Sequence, residues 1–121
     1  GHDLLDLGTH GPESVDYPDF AIKAAKGVSS GEFEGGILLC GTGLGMSMAA
    51  NRFPHIRAAL CSDLFSAIMS RQHNDANILV MGARIIGEAL ALEIVRTWLN
   101  TPFEGGRHQA RLDKFDQIPT D

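Results

Sequence analysis

Residues 40–45, with the sequence CGTGLG, are the part of this chain whose residue types and spacing are best suited to chemistry. They follow residues 36–39, an apolar run that predicts a buried strand, and precede residues 46–51, which predict the first turns of a helix. Cys40 is therefore expected at the carboxyl end of a strand, beside backbone N–H groups and the positive end of a helix dipole. Such donors suit a phosphate or the oxyanion of a reaction intermediate. A thiolate next to them could act as a base or a nucleophile.

Two other clusters carry side chains that could bind or transform an anion. Residues 71–75 (RQHND) are predicted at the end of a helix, where His73 either caps backbone carbonyls or takes part in catalysis. Residues 105–111 (GGRHQAR) place Arg107 and Arg111 four apart, on one face of a helix, with a histidine between them. Two guanidinium groups suit a phosphate because each donates hydrogen bonds in a fork, but they could equally form a solvated face.

Two further features are expected to carry no catalysis. Cys61 has no glycine turn beside it, so it is expected to be a small buried side chain. The spacing of the glycines at 41, 43 and 45 resembles that of a dinucleotide-binding turn. That fingerprint, however, requires its third glycine at the position of Met46. An alternative interpretation is an oligomerisation module with a nucleotide-like site. Protection of the protein from unfolding by NAD would favour this alternative.

Composition limits the class of protein. The chain of 121 residues is long enough for one domain with a core, and its 44% hydrophobic residues favour a globular fold over disorder. The net charge of −5 argues against a surface for nucleic acid or anionic membranes. No apolar run approaches the ~20 residues of a membrane span, and no signal peptide is expected. Two cysteines without a disulfide framework favour a reducing cytoplasm.

The hydrophobic pattern predicts strands that alternate with helices. The expected strands are residues 3–7, 36–40, 58–61 and 77–81, and the expected helices are residues 18–31, 44–53, 63–73, 87–100 and 105–115. The helix at 87–100 has the clearest apolar stripe, formed by Leu90, Ile94, Val95 and Trp98. This alternation predicts an α/β fold with a parallel sheet covered on both faces, in which ligands bind outside the carboxyl ends of the strands.

Taken in order along the chain, the clusters resemble the ribose-5-phosphate isomerase B family, which includes galactose-6-phosphate and allose-6-phosphate isomerases. The resemblance is carried by residues 35–45, 49–51, 71–75, 82–84 and 105–109, together with 6–9 and 16–18. It implies a three-layer α/β/α fold with a Rossmann-like parallel sheet, and a single sugar-phosphate isomerase domain over residues 1–121. It also implies interconversion of ribose 5-phosphate and ribulose 5-phosphate through an enediolate, without metal or cofactor.

The same resemblance implies a role for each of the prominent side chains. Cys40 is the expected base, and a cysteine at this position points to the ribose 5-phosphate branch of the family. Thr42 is expected to hydrogen-bond beside the reacting atoms, and His73 to assist ring opening. The remaining expected contacts are the N–H groups of Gly41, Gly43 and Gly45 to the enediolate oxygen, Asn74 and Tyr17 to the sugar, and Arg107, Arg111 and Arg84 to the phosphate.

The resemblance also implies how the chain assembles and where it begins. Members of the family are dimers, often paired into tetramers, with active sites shared across the dimer interface. His73, Asn74 and Arg84 are therefore expected to face the Cys40 of a neighbouring subunit. The family begins with a strand and a Gly-x-Asp-His turn, which nothing at the start of this chain matches. We therefore expect the domain to be incomplete at its amino terminus by about 25 residues, the size of a βα unit.

Two other functions stay open at this point. The pocket could take another sugar phosphate, such as galactose 6-phosphate or allose 6-phosphate, because discrimination at C4 to C6 depends on pocket shape. The chain could instead bind a sugar phosphate without transforming it. Binding alone needs no thiol base, so the presence of Cys40 argues against a protein that only binds.

Overall fold

The computed structural model describes residues 2–8 and 17–119, in which helices and strands alternate as the sequence predicts. The helices are α1 (Tyr17–Ser29), α2 (Leu44–Ala50), α3 (Leu64–Gln72), α4 (Glu88–Asn100) and α5 (Arg107–Asp113), followed by a 3₁₀ turn at Phe115–Gln117, and the strands are β1 (Gly36–Cys40), β2 (Ala58–Leu60) and β3 (Ile78–Gly82). Within the described ranges, no helix is both long enough and apolar enough to cross a membrane.

β3 is the central strand of a three-stranded parallel sheet with the order β1-β3-β2. All five of its residues are buried, which explains why its sequence ILVMG is apolar without alternation. The register pairs Ile78 with both Gly36 and Ala58, and it pairs Gly82 with Cys40. The strands therefore end at the same edge of the sheet, and Cys40 is the last residue of β1 at that edge.

The side chains of β3 alternate between two hydrophobic cores. Ile78 and Val80 belong to a core that also contains buried residues of α1 and α2. Leu79 and Met81 belong to a second core with residues of α3 and α4, including Ile94. Because alternate residues of a strand point to opposite faces, the helices cover both sides of the sheet. The expected three-layer α/β/α fold with a parallel sheet is confirmed.

Polar side chains fix the loops between these elements. Asp63 caps α3 by accepting hydrogen bonds from the backbone N–H and the hydroxyl of Ser66, at 2.7 and 3.0 Å, and these bonds hold the pKa of its carboxyl below the usual range. After α2, the Asn51 amide donates to the Ala58 carbonyl at 3.0 Å and accepts from the Ala58 N–H at 2.8 Å. Asn51 thus makes the hydrogen bonds of a neighbouring strand along β2.

The strand predicted at residues 3–7 is wrong. These residues have no regular secondary structure, and the side chains of Leu4 and Leu5 are exposed. Three leucines among five residues are compatible with a short strand, but a strand is stable only when its backbone groups bond to a neighbouring strand. Two residues of the family-like segments, Thr9 and Asp16, lie outside the described residues.

The bounds of two predicted helices are also wrong. The helix expected at 44–53 ends at Ala50, because the next residue uses its amide to bond to β2. The helix expected at 105–115 begins at Arg107, because the two glycines before it have positive φ angles of 69° and 58°. The apolar stripe of α4 is narrower than expected, since Leu90 lies at the surface.

We expect Ile94→Ala to lower the free energy of unfolding by about 2–5 kcal/mol, because it leaves a cavity between α4 and the sheet. Urea unfolding followed by circular dichroism measures the loss. Leu92→Ala on the same helix is the matched control, since Leu92 is 57% exposed whereas Ile94 is 0% exposed. Leu92→Ala should cost much less, and equal losses would mean that the buried face of α4 is assigned wrongly.

Candidate active site

The turn that follows β1 depends on a glycine in the left-handed region. Gly43 has a φ of +85°, and a Cβ atom at this position would lie 2.5 Å from the nearest side-chain atom of β2. Past the strand ends, the Ala83 N–H donates to the Cys40 carbonyl at 2.7 Å, and the Arg84 N–H donates to the Gly41 carbonyl at 2.9 Å. These hydrogen bonds attach the turn to the segment after β3 and hold it in one place.

The thiol of Cys40 is half-buried and has a backbone donor beside it. The Gly43 N–H donates to the Cys40 Sγ at 3.2 Å, and the Leu44 N–H donates to the Thr42 Oγ1 at 3.3 Å. Because α2 begins at Leu44, the N–H groups of its first turn, including that of Gly45, have no partner within the helix. The turn therefore gives the sulfur one backbone donor and presents further N–H groups at the start of α2.

This turn opens into a cavity of about 410 Å³. The cavity is lined by Tyr17, Cys40, Gly41, Thr42, Gly45 and Arg84. The Arg84 Nε lies 3.5 Å from the position that a Cβ of Gly41 would take, and the Tyr17 ring fills the space that a Cβ of Gly45 would need. A guanidinium, a phenol and a thiol thus line one cavity, and these polar groups suit an anionic ligand rich in hydroxyl groups.

Four other predicted site residues lie away from this cavity. His73 follows the last turn of α3, and Asn74 comes after it with an exposed side chain. Arg107 and Arg111 are exposed on α5. None of these four lines the cavity of Cys40, so the site residues predicted from the sequence fall into two separate groups.

The second group is organised around two stacked histidines. The imidazole rings of His73 and His108 have centroids 4.2 Å apart and planes 15° from parallel. The Oε1 atom of Glu104 lies 3.7 Å from the Nε2 of His73 and 3.5 Å from the Nε2 of His108. Burial lowers the pKa of the His108 imidazole, and the charges of His73 and Arg107 lower it further. The carboxylate of Glu104 acts in the opposite direction, but the net shift of the pKa is downward and favours the neutral imidazole.

Arg71 holds the scaffold of this second group together. Its guanidinium donates to the carbonyls of Ala76 at 2.6 Å and Thr101 at 3.1 Å, which ties the end of α3 to the segment after α4. In that segment the Glu104 N–H donates to the Gln72 carbonyl at 3.0 Å. These bonds place Glu104 beside the end of α3. Arg71 therefore acts on the histidine pair indirectly, by fixing the backbone segments that carry it.

The two groups lie at opposite edges of the sheet. Cys40 ends β1, whereas His73 lies in the connection that leads into the start of β3. Since β3 runs parallel to β1 for five residues that rise about 3.3 Å each, roughly 16 Å of strand separates the two edges. Arg84 lies with the Cys40 of its own chain, contrary to the expectation that it stands with His73 and Asn74 against a neighbouring subunit.

Sequence reasoning missed Glu104 and considered His108 only as the residue between two arginines. The available signal was an acid four residues before a histidine, but Gly105 and Gly106 break the helical spacing that would make this pattern meaningful. The contact between Glu104 and His73 depends on how the carboxyl ends of α3 and α4 are placed relative to one another. The ligand atoms of His73, Glu104 and His108 all lie within 4.8 Å of one another, so these residues could hold a metal ion.

Cys61 occupies a different environment from Cys40. It lies in the core between the sheet and α3 with 1% of its surface exposed. Burial raises the pKa of its thiol, a hydrogen bond with Ser70 lowers it, and the charge of Asp63 raises it. The result is a thiol that stays protonated and is closed to solvent, which agrees with the structural role expected from the sequence.

The chain is similar to proteins of one family. Residues 1–115 match the model of the family described as Ribose/Galactose Isomerase. The ribose-5-phosphate isomerase B of Escherichia coli strain K12 is 50% identical over 118 residues, which are 98% of this chain and 79% of that protein. Solved structures of ribose-5-phosphate isomerase B from Clostridium thermocellum and Thermotoga maritima have TM-scores of 0.92 and 0.91 at 59% and 56% identity. The matches cover 94% of this chain, and 77% and 79% of those chains.

Iodoacetamide should modify Cys40 in the folded protein and leave Cys61 unmodified, because Cys40 lines an open cavity whereas Cys61 is buried with a raised pKa. Peptide mass spectrometry after short reaction times measures each thiol separately. Unfolding in urea before the reaction is the control and should expose both thiols. Equal rates of modification in the folded protein would contradict this difference between the two sites.

Proposed function

The chain belongs to the ribose/galactose isomerase family, and we propose that it interconverts ribose 5-phosphate and ribulose 5-phosphate with Cys40 as the base. The observation that carries the proposal is the position of the Cys40 sulfur, 3.2 Å from the Gly43 N–H and beside a cavity that Thr42 and Arg84 also line. Half of the residues of the matched segment are identical to those of a ribose-5-phosphate isomerase B. Aldose–ketose isomerisation needs this combination of a base and fixed donors.

In the proposed reaction the Cys40 thiolate takes the proton from C2 of the open-chain aldose. The electron pair of that C–H bond forms the C1–C2 double bond, while the carbonyl electrons move to O1. The thiol then returns the proton to C1, and the proton of the C2 hydroxyl moves to O1. The carbonyl is now at C2 and the thiolate is restored, so atoms and electrons balance without a co-reactant.

The negative charge that develops on the substrate oxygen needs donors that are in place before the reaction. In the proposed mechanism the N–H groups of the turn at Gly41, Gly43 and Gly45 supply them. Because the Ala83 and Arg84 N–H groups hold this turn from the side of β3, the donors need little rearrangement in the transition state. Thr42 contributes its hydroxyl, which already accepts from the Leu44 N–H.

Ribose 5-phosphate in solution is a cyclic hemiacetal, so a second acid–base group must open the ring. We assign this step to His73, whose imidazole can take the proton of the O1 hydroxyl and deliver one to the ring oxygen. Arg107 and Arg111, four residues apart on α5, would hold the phosphate, and Asn74 and Tyr17 would contact the sugar. Phosphate binding remote from C1 and C2 fixes the orientation of the reacting carbons.

This assignment requires a second subunit. Cys40 and His73 lie at opposite edges of one sheet, about 16 Å apart along the strands, so one chain cannot bring both to one substrate of this size. We propose a homodimer in which the Cys40 cavity of each subunit receives His73, Asn74, Arg107 and Arg111 from its partner. Such dimers could pair further into tetramers. A thiol base must stay reduced, which favours the cytoplasm as the location.

Another sugar phosphate remains the second candidate, because the family description names galactose as well as ribose. The cavity of about 410 Å³ has room for a six-carbon substrate as well as a five-carbon one. Turnover measured across pentose and hexose phosphates distinguishes these substrates. Binding of all of them without any turnover would instead identify a sugar-phosphate-binding protein.

Cys40→Ser should lower turnover of ribose 5-phosphate by about 10²–10⁴-fold, the contribution of a general base, because a hydroxyl is a far weaker base than a thiolate. Calorimetric titration with ribose 5-phosphate should show that the variant still binds. Cys61→Ser, which changes the buried thiol in the same way, is the matched control and should retain turnover. A Cys40→Ser variant with nearly normal turnover would rule out the assigned base.

Mixing subunits tests the shared site. Cys40→Ser and His73→Asn proteins should each be impaired alone, yet equal amounts refolded together should regain about a quarter of the parent activity. Half of the dimers then combine the two variants, and each of these has one site with both Cys40 and His73 intact. If each site lay within one chain, mixing would leave the activity at the average of the two variants.

A further inference from the structure

The group of His73, Glu104 and His108 has the composition and spacing of a metal site. Two imidazoles and one carboxylate are a ligand set used for Zn²⁺, with the fourth position left to water or a ligand. The Glu104 Oε1 lies 3.5 and 3.7 Å from the two Nε2 atoms, and the ligand atoms of all three residues lie within 4.8 Å of one another. A tetrahedral zinc site with bonds of about 2.1 Å places its ligand atoms about 3.4 Å apart.

We propose that His73, Glu104 and His108 bind a divalent transition-metal ion such as Zn²⁺, and that the bound ion inhibits the isomerase by occupying His73. The inhibition rests on the role proposed for His73 above, whereas the binding itself does not. The ion is an inhibitor in this proposal and takes no part in the reaction.

The structure allows the three ligands to converge with a small movement. His108 is anchored, since its side chain is only 7% exposed, and the Glu104 backbone is fixed to the Gln72 carbonyl. The side chains of His73 and Glu104 are 39% and 51% exposed, so both can turn toward a shared ion. The two imidazole rings already stack with centroids 4.2 Å apart, so His73 and His108 need no large movement to share an ion.

Charges around the group set the strength expected of the site. Arg107 and Arg111 on α5 repel a cation, and Glu104 is the only carboxylate among the three ligands. We therefore expect reversible binding, unlike the tight closed sites that hold structural zinc. The same arginines are assigned to the substrate phosphate. A bound phosphate would neutralise their positive charges and so weaken their repulsion of the metal ion.

Calorimetric titration of the whole protein with ZnCl₂ in phosphate-free buffer tests the binding. Glu104→Gln should weaken the affinity at least about tenfold, since even the loss of an outer-shell partner costs that much. Glu104 is half exposed, so this variant should fold, and His108→Gln should have the same effect. His55→Gln is the matched control: His55 also pairs with one carboxylate, that of Asp116 at 3.6 Å, but without a second histidine. It should bind Zn²⁺ as the parent does.

The thiol of Cys40 is the competing ligand, and Co²⁺ distinguishes it from the proposed site. Co²⁺ on nitrogen and oxygen ligands shows only ligand-field absorption, whereas a thiolate ligand adds an intense near-ultraviolet band. The proposal expects the first spectrum, and expects Cys40→Ser to bind the metal unchanged. It is overturned if the parent binds no Zn²⁺, if Glu104→Gln binds as tightly as the parent, or if Cys40→Ser removes the binding.

Turnover measurements separate the metal site from the isomerase assignment. Zn²⁺ should inhibit the parent, a chelator should reverse the inhibition, and Glu104→Gln should need at least about tenfold more Zn²⁺ for the same effect. Zinc binding without inhibition would support the site and contradict the role of His73. A protein that turns over no sugar phosphate but still loses zinc affinity in Glu104→Gln would likewise support the site alone.

Discussion

The arrangement of this domain depends on the burial of β3. All five of its residues are buried, and its backbone bonds to a parallel strand on each side. Parallel pairing forces β1 and β2 to start at one edge of the sheet and to end at the other. It also requires each connection to return across a face of the sheet, which places α2 over one face and α3 over the other. The direction of the strands therefore decides at which edge of the sheet each turn with a reactive side chain lies.

That constraint explains why the candidate site residues form two groups. Segments that leave the carboxyl ends of strands, such as the turn after Cys40 and the segment at Arg84, meet at one edge. Segments that lead into strands, such as the one at His73, lie at the opposite edge of the sheet. There the side chain of Arg71 donates hydrogen bonds both to this segment and to the segment after α4. In the proposed dimer each subunit therefore supplies its partner with the half of the site that the partner's own cavity lacks, as the symmetry of a pair requires.

Much of this could be predicted from the sequence because the signals are local. The apolar run of β3, the alternation with helices and the glycine turn at Cys40 each depend on a few adjacent residues, and six predicted residues line one cavity. The errors have the opposite origin. Residues 3–7 have the composition of a short strand but form no regular secondary structure, and Glu104 reaches His73 only through the packing of two helix ends. Both outcomes depend on residues that are distant in sequence, and a pattern of a few adjacent residues carries no information about them.

The Asn51 amide at the border of β2 has a consequence beyond the local geometry. A short strand at the margin of a sheet normally offers its unpaired amide and carbonyl groups to any extended chain that passes, and this is a route to polymerisation and fibre growth. Both outward-facing backbone groups of Ala58 are already occupied by the Asn51 side chain. One asparagine therefore blocks the pairing of a foreign strand at the start of β2, as charges or prolines do in other sheet proteins, and it does so with neither a charge nor a break in the chain.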